Sequence, residues 1–353
     1  MSSTTRIRTL LLASVAVFAL LLASCGDDTG SDVSTGSDLP GADYDGEIVF
    51  GDLNWDSALF HNRIAQYVLE NGYGYDTTSI PGGTIALTQG LINGDIDVAM
   101  EMTPEQQPDY VEAVEAGTVL DHGLMFAGSN QGWWVPTYVI EGDAERGIEP
   151  MAPDLRSVSD LPQYKELFAD PEDPDKGRFY DCIAGWECER VNEGKFEAYG
   201  LGQHYNRFLP GSDAALATSI VAAYERGDPW FGYYWSPTWI FGLVDLTKIE
   251  EPEFTEECWD QIFTGEEACA YPLMEIHIAT SPEFAEAAPE VIEFLENSET
   301  TVEQINAALS YMQENDATPD DAAVWFLQEH EDVWTNWVPA DVAERVKESL
   351  EGM

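Results

Sequence analysis

Residues 47–100 read EIVFGDLNWDSALFHNRIAQYVLENGYGYDTTSIPGGTIALTQGLINGDIDVAM. Glu47 to Phe50 is a short, apolar-leaning strand. Ser57 to Glu70 sets Leu59, Phe60, Ile64, Tyr67 and Val68 along one side of a helix, and Asn71-Gly72 is expected to stop it. Tyr75 to Ile80 reads as a second strand, Thr84 to Asn93 as a helix with Ile85, Leu91 and Ile92 inward, and Asp95 to Met100 as a third strand. Strand, helix, strand, helix, strand predicts a parallel sheet. Ligands of open parallel sheets sit off the carboxyl ends of the strands, where Trp55 and Glu101-Met102-Thr103-Pro104 fall.

Two further aromatic clusters lie outward from this unit, Gly132-Trp133-Trp134-Val135-Pro136 and Tyr233-Tyr234-Trp235-Ser236-Pro237-Thr238-Trp239. Rings converging from separate segments suit a methylated ammonium, which lacks N–H donors but is drawn to π density. Taken singly, Trp and Tyr fill cores more often than they line cages. If the Trp133-Trp134 segment is extended, the two rings face opposite sides. Trp239 reads as packing. Leu209-Pro210-Gly211-Ser212-Asp213 precedes an Ala-rich helix running to about Arg226. Ser212 or Asp213 would cap it, and the N–H groups near Gly211 and Ser212 suit a carboxylate, although a plain cap is the commoner use. Asp56 either faces the site or caps the helix starting at Ser57. Leu273 to Ile278 reads as a strand returning to the first unit. Pro289 to Asn297, Thr301 to Asn315, Pro319 to His330 and Pro339 to Leu350 read as helices, with Trp325, Trp334 and Trp337 as packing residues.

The N-terminus places the protein outside the cytoplasm. Arg6 and Arg8 precede an apolar run from Leu10 to Ala23 that is too short to span a bilayer, the pattern of a secretory signal. The run ends in Leu22-Ala23-Ser24-Cys25, which resembles the lipobox of bacterial lipoproteins and implies a lipid on Cys25. Residues 26–45 are largely Asp, Gly, Ser and Thr and read as a solvated tether. Four cysteines remain, Cys182, Cys188, Cys258 and Cys269, an even number that suggests two disulfides in an exported chain. Three pairings are open. The local pairs Cys182–Cys188 and Cys258–Cys269, which close short loops, are the expected ones. A zinc site is disfavoured by the spacing and by the lack of a nearby His.

Sixty-six acidic residues against fifteen basic ones give a formal charge of −51. Nucleic acid and anionic membrane surfaces are therefore poor partners. Apolar and aromatic residues are plentiful enough for sizeable cores, so the acids belong to a folded surface. No HExxH, GxSxG, P-loop or dinucleotide glycine fingerprint is present, and neither an enzyme nor a cofactor is expected. A carbohydrate binder that stacks sugars on the same aromatics is the alternative reading.

Gly51-Asp52-Leu53-Asn54-Trp55-Asp56, Gly72-Tyr73, Ile92-Asn93-Gly94-Asp95-Ile96-Asp97-Val98, Trp134-Val135-Pro136-Thr137-Tyr138 and Tyr234-Trp235-Ser236-Pro237 resemble the glycine betaine/choline-binding proteins of ABC importers. The resemblance runs over nearly the whole mature chain. It implies an α/β, two-lobed type II periplasmic-binding-protein fold that closes on a quaternary amine and hands it, as a monomer, to a membrane permease. The lobes would be 46–139 with 274–353, and 140–273, crossing near Tyr138 to Ile140 and near Tyr271 to Glu275. It also implies Trp55 and Trp235 as opposed cage walls and Trp133 as a third. Tyr233, Tyr234 and Thr238 are candidates for the ligand's other end. Two departures stand out. Met102, with Glu101 beside it, occupies the place of a family Trp, and Thr238 that of a carboxylate-holding His, which together favour a more cationic or larger ligand.

A surface this acidic suits a high-salt setting, where charges are screened within ~3 Å at molar salt. The melting temperature is expected to rise from dilute buffer to molar sodium chloride in a thermal scan. An unchanged or lower value contradicts that expectation.

Overall fold

The computed structural model describes Tyr44 and residues 46–352, so the expected signal segment, Cys25 and nearly all of the tether lie outside the described residues. The chain opens with β1 (Ile48–Leu53), α1 (Asp56–Val68), β2 (Thr77–Gly82), α2 (Thr84–Asn93), β3 (Val98–Met102), α3 (Pro108–Ala116) and the long β4 (Leu120–Pro136). The middle holds α4 (Thr137–Glu141), β5 (Ala169–Asp170), β6 (Asp173–Tyr180), α5 (Glu187–Ala198), β7 (Tyr205–Phe208), α6 (Asp213–Arg226) and β8 (Gly232–Ser236). After α7 (Ile240–Leu243), β9 (Leu246–Lys248), α8 (Glu256–Gln261) and β10 (Leu273–Thr280) the rest is helical. It comprises α9 (Pro282–Ala287), α10 (Pro289–Asn297), α11 (Val302–Asn315), α12 (Pro319–Glu329), α13 (Glu331–Trp334) and α14 (Ala340–Glu351).

The expected parallel unit forms: β1 lies between β2 and β3 and parallel to both. Its buried Ile48 and Phe50 meet the inward face of α1, where Phe60, Ile64 and Val68 are buried. The α1 helix does not stop at Asn71-Gly72. It widens into a π turn over Leu69–Tyr73 and ends at Gly74, whose φ of 86° is the left-handed conformation glycine tolerates. Gly72 is needed for another reason. A Cβ there would stand 2.7 Å from Val342 and 2.8 Å from Val346, so its bareness lets α14 pack on the turn.

The full sheet is mixed, in the order β2-β1-β3-β10-β4-β8-β6-β5. β10 runs antiparallel between β3 and β4. β4 pairs with β10 from Leu120 to Asn130, then with β8 from Asn130 to Trp134 and with β9 over Trp134 to Pro136. One strand therefore serves both halves. Its change of partner falls at Asn130, and β10 begins at Leu273.

One continuous buried core runs through both halves. In the first, Phe60 meets Phe326 edge-on at 5.5 Å, and Trp334 is fully buried with its indole N–H donated to the Leu327 carbonyl. In the second, Trp133, Phe179, Phe196 and Phe231 form a ring cluster with neighbouring centroids 4.8 to 6.0 Å apart. Beside it sits a fully buried ion pair, Lys195 Nζ to Glu251 Oε1 at 2.7 Å, with Tyr199 donating to the same oxygen at 3.0 Å. Burial lowers the lysine pKa to about 8 against the opposing pull of Glu251. Both disulfides, Cys182–Cys188 and Cys258–Cys269, are present as expected.

Removing one member of a buried pair strands the other charge. Lys195→Ala is expected to cost about 3–5 kcal/mol in a urea melt. A loss under ~1 kcal/mol, the range of exposed pairs, contradicts the buried pair.

Candidate functional site

Two parallel strand ends, one helix N-terminus and one further strand converge between the halves. Trp55 directly precedes α1 after the end of β1, and Glu101 lies at the end of β3. Trp186 is the residue before α5, inside the loop closed by Cys182–Cys188. Trp235 lies near the end of β8. The Trp55 and Trp186 rings stand 5.1 Å apart at 70°, and the Trp186 and Trp235 rings 5.1 Å apart at 77°. Two near-perpendicular corners make a three-walled box. The walls open on a cavity of about 60 Å³, also lined by Tyr233, Phe126, Glu101 and Glu187 and by the amides of Gln106, Gln107 and Gln131. That is room for roughly four to six water-sized groups at ~10–15 Å³ each.

Hydrogen bonds fix the walls. Glu101 Oε2 accepts from Trp55 Nε1 at 2.7 Å and from Ser57 Oγ at 3.1 Å, while Oε1 lies 2.7 Å from His61 Nδ1. The other ring nitrogen of His61 is 3.2 Å from Thr300 Oγ1. A carboxylate that accepts the indole proton orients the ring and enriches its π face. Trp186 donates across to the first half, to Asn54 Oδ1 at 2.6 Å. The Ile85 N–H donates to the Gly185 carbonyl at 3.3 Å, and Trp259 Nε1 to the Glu105 carbonyl at 2.5 Å. Tyr233, stacked on Trp235 at 6.0 Å, is anchored by its hydroxyl to Gln131 Oε1 at 2.7 Å.

Three carboxyls at this junction are shifted upward. Burial, against the pull of Arg190 and with the repulsion of Asp109, raises Glu187 to about 7. Burial and the neighbouring Asp56 raise Asp213, the first residue of α6, to about 8. Asp56 is itself raised by burial.

The structure brings together Trp55, Trp235 and Glu101 of the residues singled out from sequence. Asp56, Tyr234 and Thr238 stand behind the wall, around a small space backed by Trp55 and Trp235. The residue at the cap position of α1 is Trp55, so Asp56 is not the cap; it stands in the first turn.

Three expectations are corrected. Trp133 is fully buried in the second half, because β4 turns that face toward α5. Its N–H bonds to Asn192 at 2.9 Å, and its ring lies 5.8 Å from the ammonium of Lys195. Met102 points away from the cleft because neighbours on a strand alternate: Glu101 takes the cleft side, and Met102 packs with Leu53 and Tyr110. Ser212 caps α6, as expected of Ser212 or Asp213, by accepting from the Ala215 N–H, but the carboxylate site expected there is not in the tryptophan-lined cavity: Ser212 borders a separate cavity of about 620 Å³ next to Asp213, and Gly211 is exposed just ahead of it. Trp186, Phe126 and Glu187 went unrecognised in the sequence. The signal for Trp186 was a Trp inside a disulfide-closed loop directly before an acidic helix start.

A parallel unit joined through shared strands to a second half, with a small-molecule cavity between them, defines the two-lobed solute-binding proteins. Residues 46–329 match the substrate-binding domain of ABC-type glycine betaine transport systems, and the chain belongs to that family. It is 23% identical over 295 residues to the trimethylamine N-oxide-binding protein of Pelagibacter ubique, covering 83% of this chain and 91% of that one. It is 23% identical over 309 residues to the glycine betaine-binding periplasmic protein OusX of Dickeya dadantii, covering 85% and 88%. Among solved structures, the glycine betaine/L-proline-binding protein ProX from Borrelia burgdorferi shares the fold, with a TM-score of 0.70 at 19% identity over 85% of this chain and all of that one. Among the described residues, no helix is long and apolar enough to cross a membrane, and no group of three or more His, Cys, Asp or Glu side chains could hold a metal ion.

A carboxyl whose pKa is raised on folding stabilises the fold fully below its unfolded value, and that contribution is lost as pH rises through its folded value. For Asp213 the window runs from 3.8 to about 8. Asp213→Asn is therefore expected to raise the melting temperature, relative to wild type, more at pH 8.5 than at pH 5. Identical pH profiles for the two proteins contradict the shift.

Proposed function

We propose that this chain captures a small methylated ammonium compound, such as glycine betaine, choline or trimethylamine N-oxide, between Trp55, Trp186 and Trp235, and hands it to the permease of an ABC importer. The carrying observation is the pair of near-perpendicular tryptophan corners at 5.1 Å, whose three rings line one small cavity. A methylated nitrogen cannot be held by acceptors through N–H bonds, so ring faces are the chemistry that fits it. Three cation–π contacts at ~0.5–2 kcal/mol each fall short of the ~8 kcal/mol of a micromolar complex. The remainder must come from burial between the lobes and from polar groups at the ligand's other end. The first turn of α5, where Glu187 and Cys188 line the cavity, carries the positive end of the helix and suits a ligand carboxylate or oxide. Glu101 acts through Trp55, and Tyr234 and Thr238 support Trp235 from behind.

In this reading the lobes are 46–139 with 274–353, and 140–273, with β4 and β10 as the shared connections. The change of strand partner at Asn130 favours counting Trp133 and Trp134 with the second lobe. The protein works as a non-enzymatic monomer on the outer face of the membrane, tethered through a lipid on Cys25. The ligands named for its relatives, trimethylamine N-oxide and glycine betaine, support the methylated-ammonium reading.

Titration of intrinsic tryptophan fluorescence with choline, glycine betaine, trimethylamine N-oxide, carnitine and maltotriose tests it. Saturable binding of at least one methylated ammonium is expected, weakened on the order of 100-fold, about 2.7 kcal/mol, in Trp186→Ala. Saturation by maltotriose alone, or undiminished affinity in Trp186→Ala, overturns the proposal.

A further inference from the structure

We propose that Glu187 sets the charge preference of the cavity: as a carboxylate it favours a ligand of net positive charge, and as a neutral acid it admits one that also carries a carboxylate. This inference rests on the reading of the cavity as a methylated-ammonium site.

Two acidic side chains line the cavity, and no Lys, Arg or His does. They are not equivalent. Glu101 accepts from Trp55 and Ser57 and lies 2.7 Å from His61 Nδ1, so all three of its partners are in the first half. Glu187 directly follows the wall residue Trp186 and is itself buried. Its ion-pair partner is Arg190, one turn along the same helix, at 2.8 Å. The arginine side chain is 42% exposed, so solvent screens much of its compensation. Across the junction, Asp109 in the first turn of α3 adds a like charge.

Position makes Glu187 decisive. It belongs to the first turn of α5, whose residues Glu187 and Cys188 line the cavity at the positive end of the helix. An ionised Glu187 competes with a ligand carboxylate for the same positive helix end. A purely cationic ligand meets no such competition and gains an attractive charge near its ammonium. Because burial and Asp109 hold the Glu187 pKa up at about 7, the change of state falls in the ordinary pH range.

Choline and glycine betaine are suitable probes, since neither changes charge between pH 5.5 and 8.5. Their affinities are to be measured by calorimetry across that range. The choline-to-betaine affinity ratio is expected to rise on the order of tenfold with pH, the equivalent of a one-unit displacement of the Glu187 pKa by the ligand, with a midpoint near 7. In Glu187→Gln the ratio should be flat. In Asp109→Asn, which removes the like charge, the midpoint should move to lower pH. Asp56 and Asp213, both raised by burial, also lie near the cleft, but they remain in Glu187→Gln, so the comparison isolates Glu187.

A constant ratio in the wild type, with both affinities changing together, means the charge acts on lobe closure and overturns the proposal. A slope that persists in Glu187→Gln does the same. If neither probe saturates at any pH, the methylated-ammonium reading itself fails and takes this inference with it, an outcome distinct from binding with a flat ratio.

Discussion

A fully methylated ammonium has no proton to donate, so recognition must come from surfaces that attract charge without hydrogen bonds, in a place water does not fill. In the proposed site that surface is three tryptophan rings around one small cavity, from a strand end in the first half and from a helix start and a strand end in the second. Residues of both halves line the cavity. The bond from Trp186 to Asn54, beside Trp55, holds one wall of the second half against the first. The shared strand β4 determines how the remaining walls approach, because it pairs with β10 on one side of Asn130 and with β8, the strand of Trp235, on the other.

The same attraction is used twice. Inside the second half, the ammonium of Lys195 lies 3.9 Å from the centroid of Tyr271, 5.8 Å from Trp133 and 6.0 Å from Trp259. This is an aromatic surround for the protein's own cation, completed by Glu251 because a lysine, unlike a methylated amine, keeps donors that must be satisfied. The cleft follows the complementary logic. It lacks cationic side chains and keeps its carboxylates either hydrogen-bonded, as in Glu101, or raised in pKa by burial, as in Glu187. A chain with a formal charge of −51 thereby keeps its binding space from simply extending its surface.

The parallel unit was legible because its periodicity is local. Helix α2 and helix α10 fall on the bounds that apolar spacing predicts, and the strand-end rule located Trp55 and Glu101 without any tertiary knowledge. What stayed hidden depended on contacts between distant segments. The antiparallel insertion of β10 between β3 and β4 has no signal in either strand alone. Trp133 and Trp134 alternate on β4, Trp133 beside Lys195 and Trp134 beside Lys248, and neither lines the cavity, a placement decided by how distant segments pack. Trp186 sits in a loop with no periodicity, and only the closure of Cys182–Cys188 and the approach of Asn54 make it a wall. Met102 occupies the position of a family tryptophan in sequence, yet strand alternation turns it into the core. The cavity gains its aromatic lining from Phe126 and Tyr233 instead.

A crystal structure of the protein soaked with choline tests the central claim most directly. The account predicts the quaternary nitrogen within ~6 Å of the ring centroids of Trp55, Trp186 and Trp235, the reach of a cation–π contact. Choline bound elsewhere, with the three tryptophans unengaged, would contradict it.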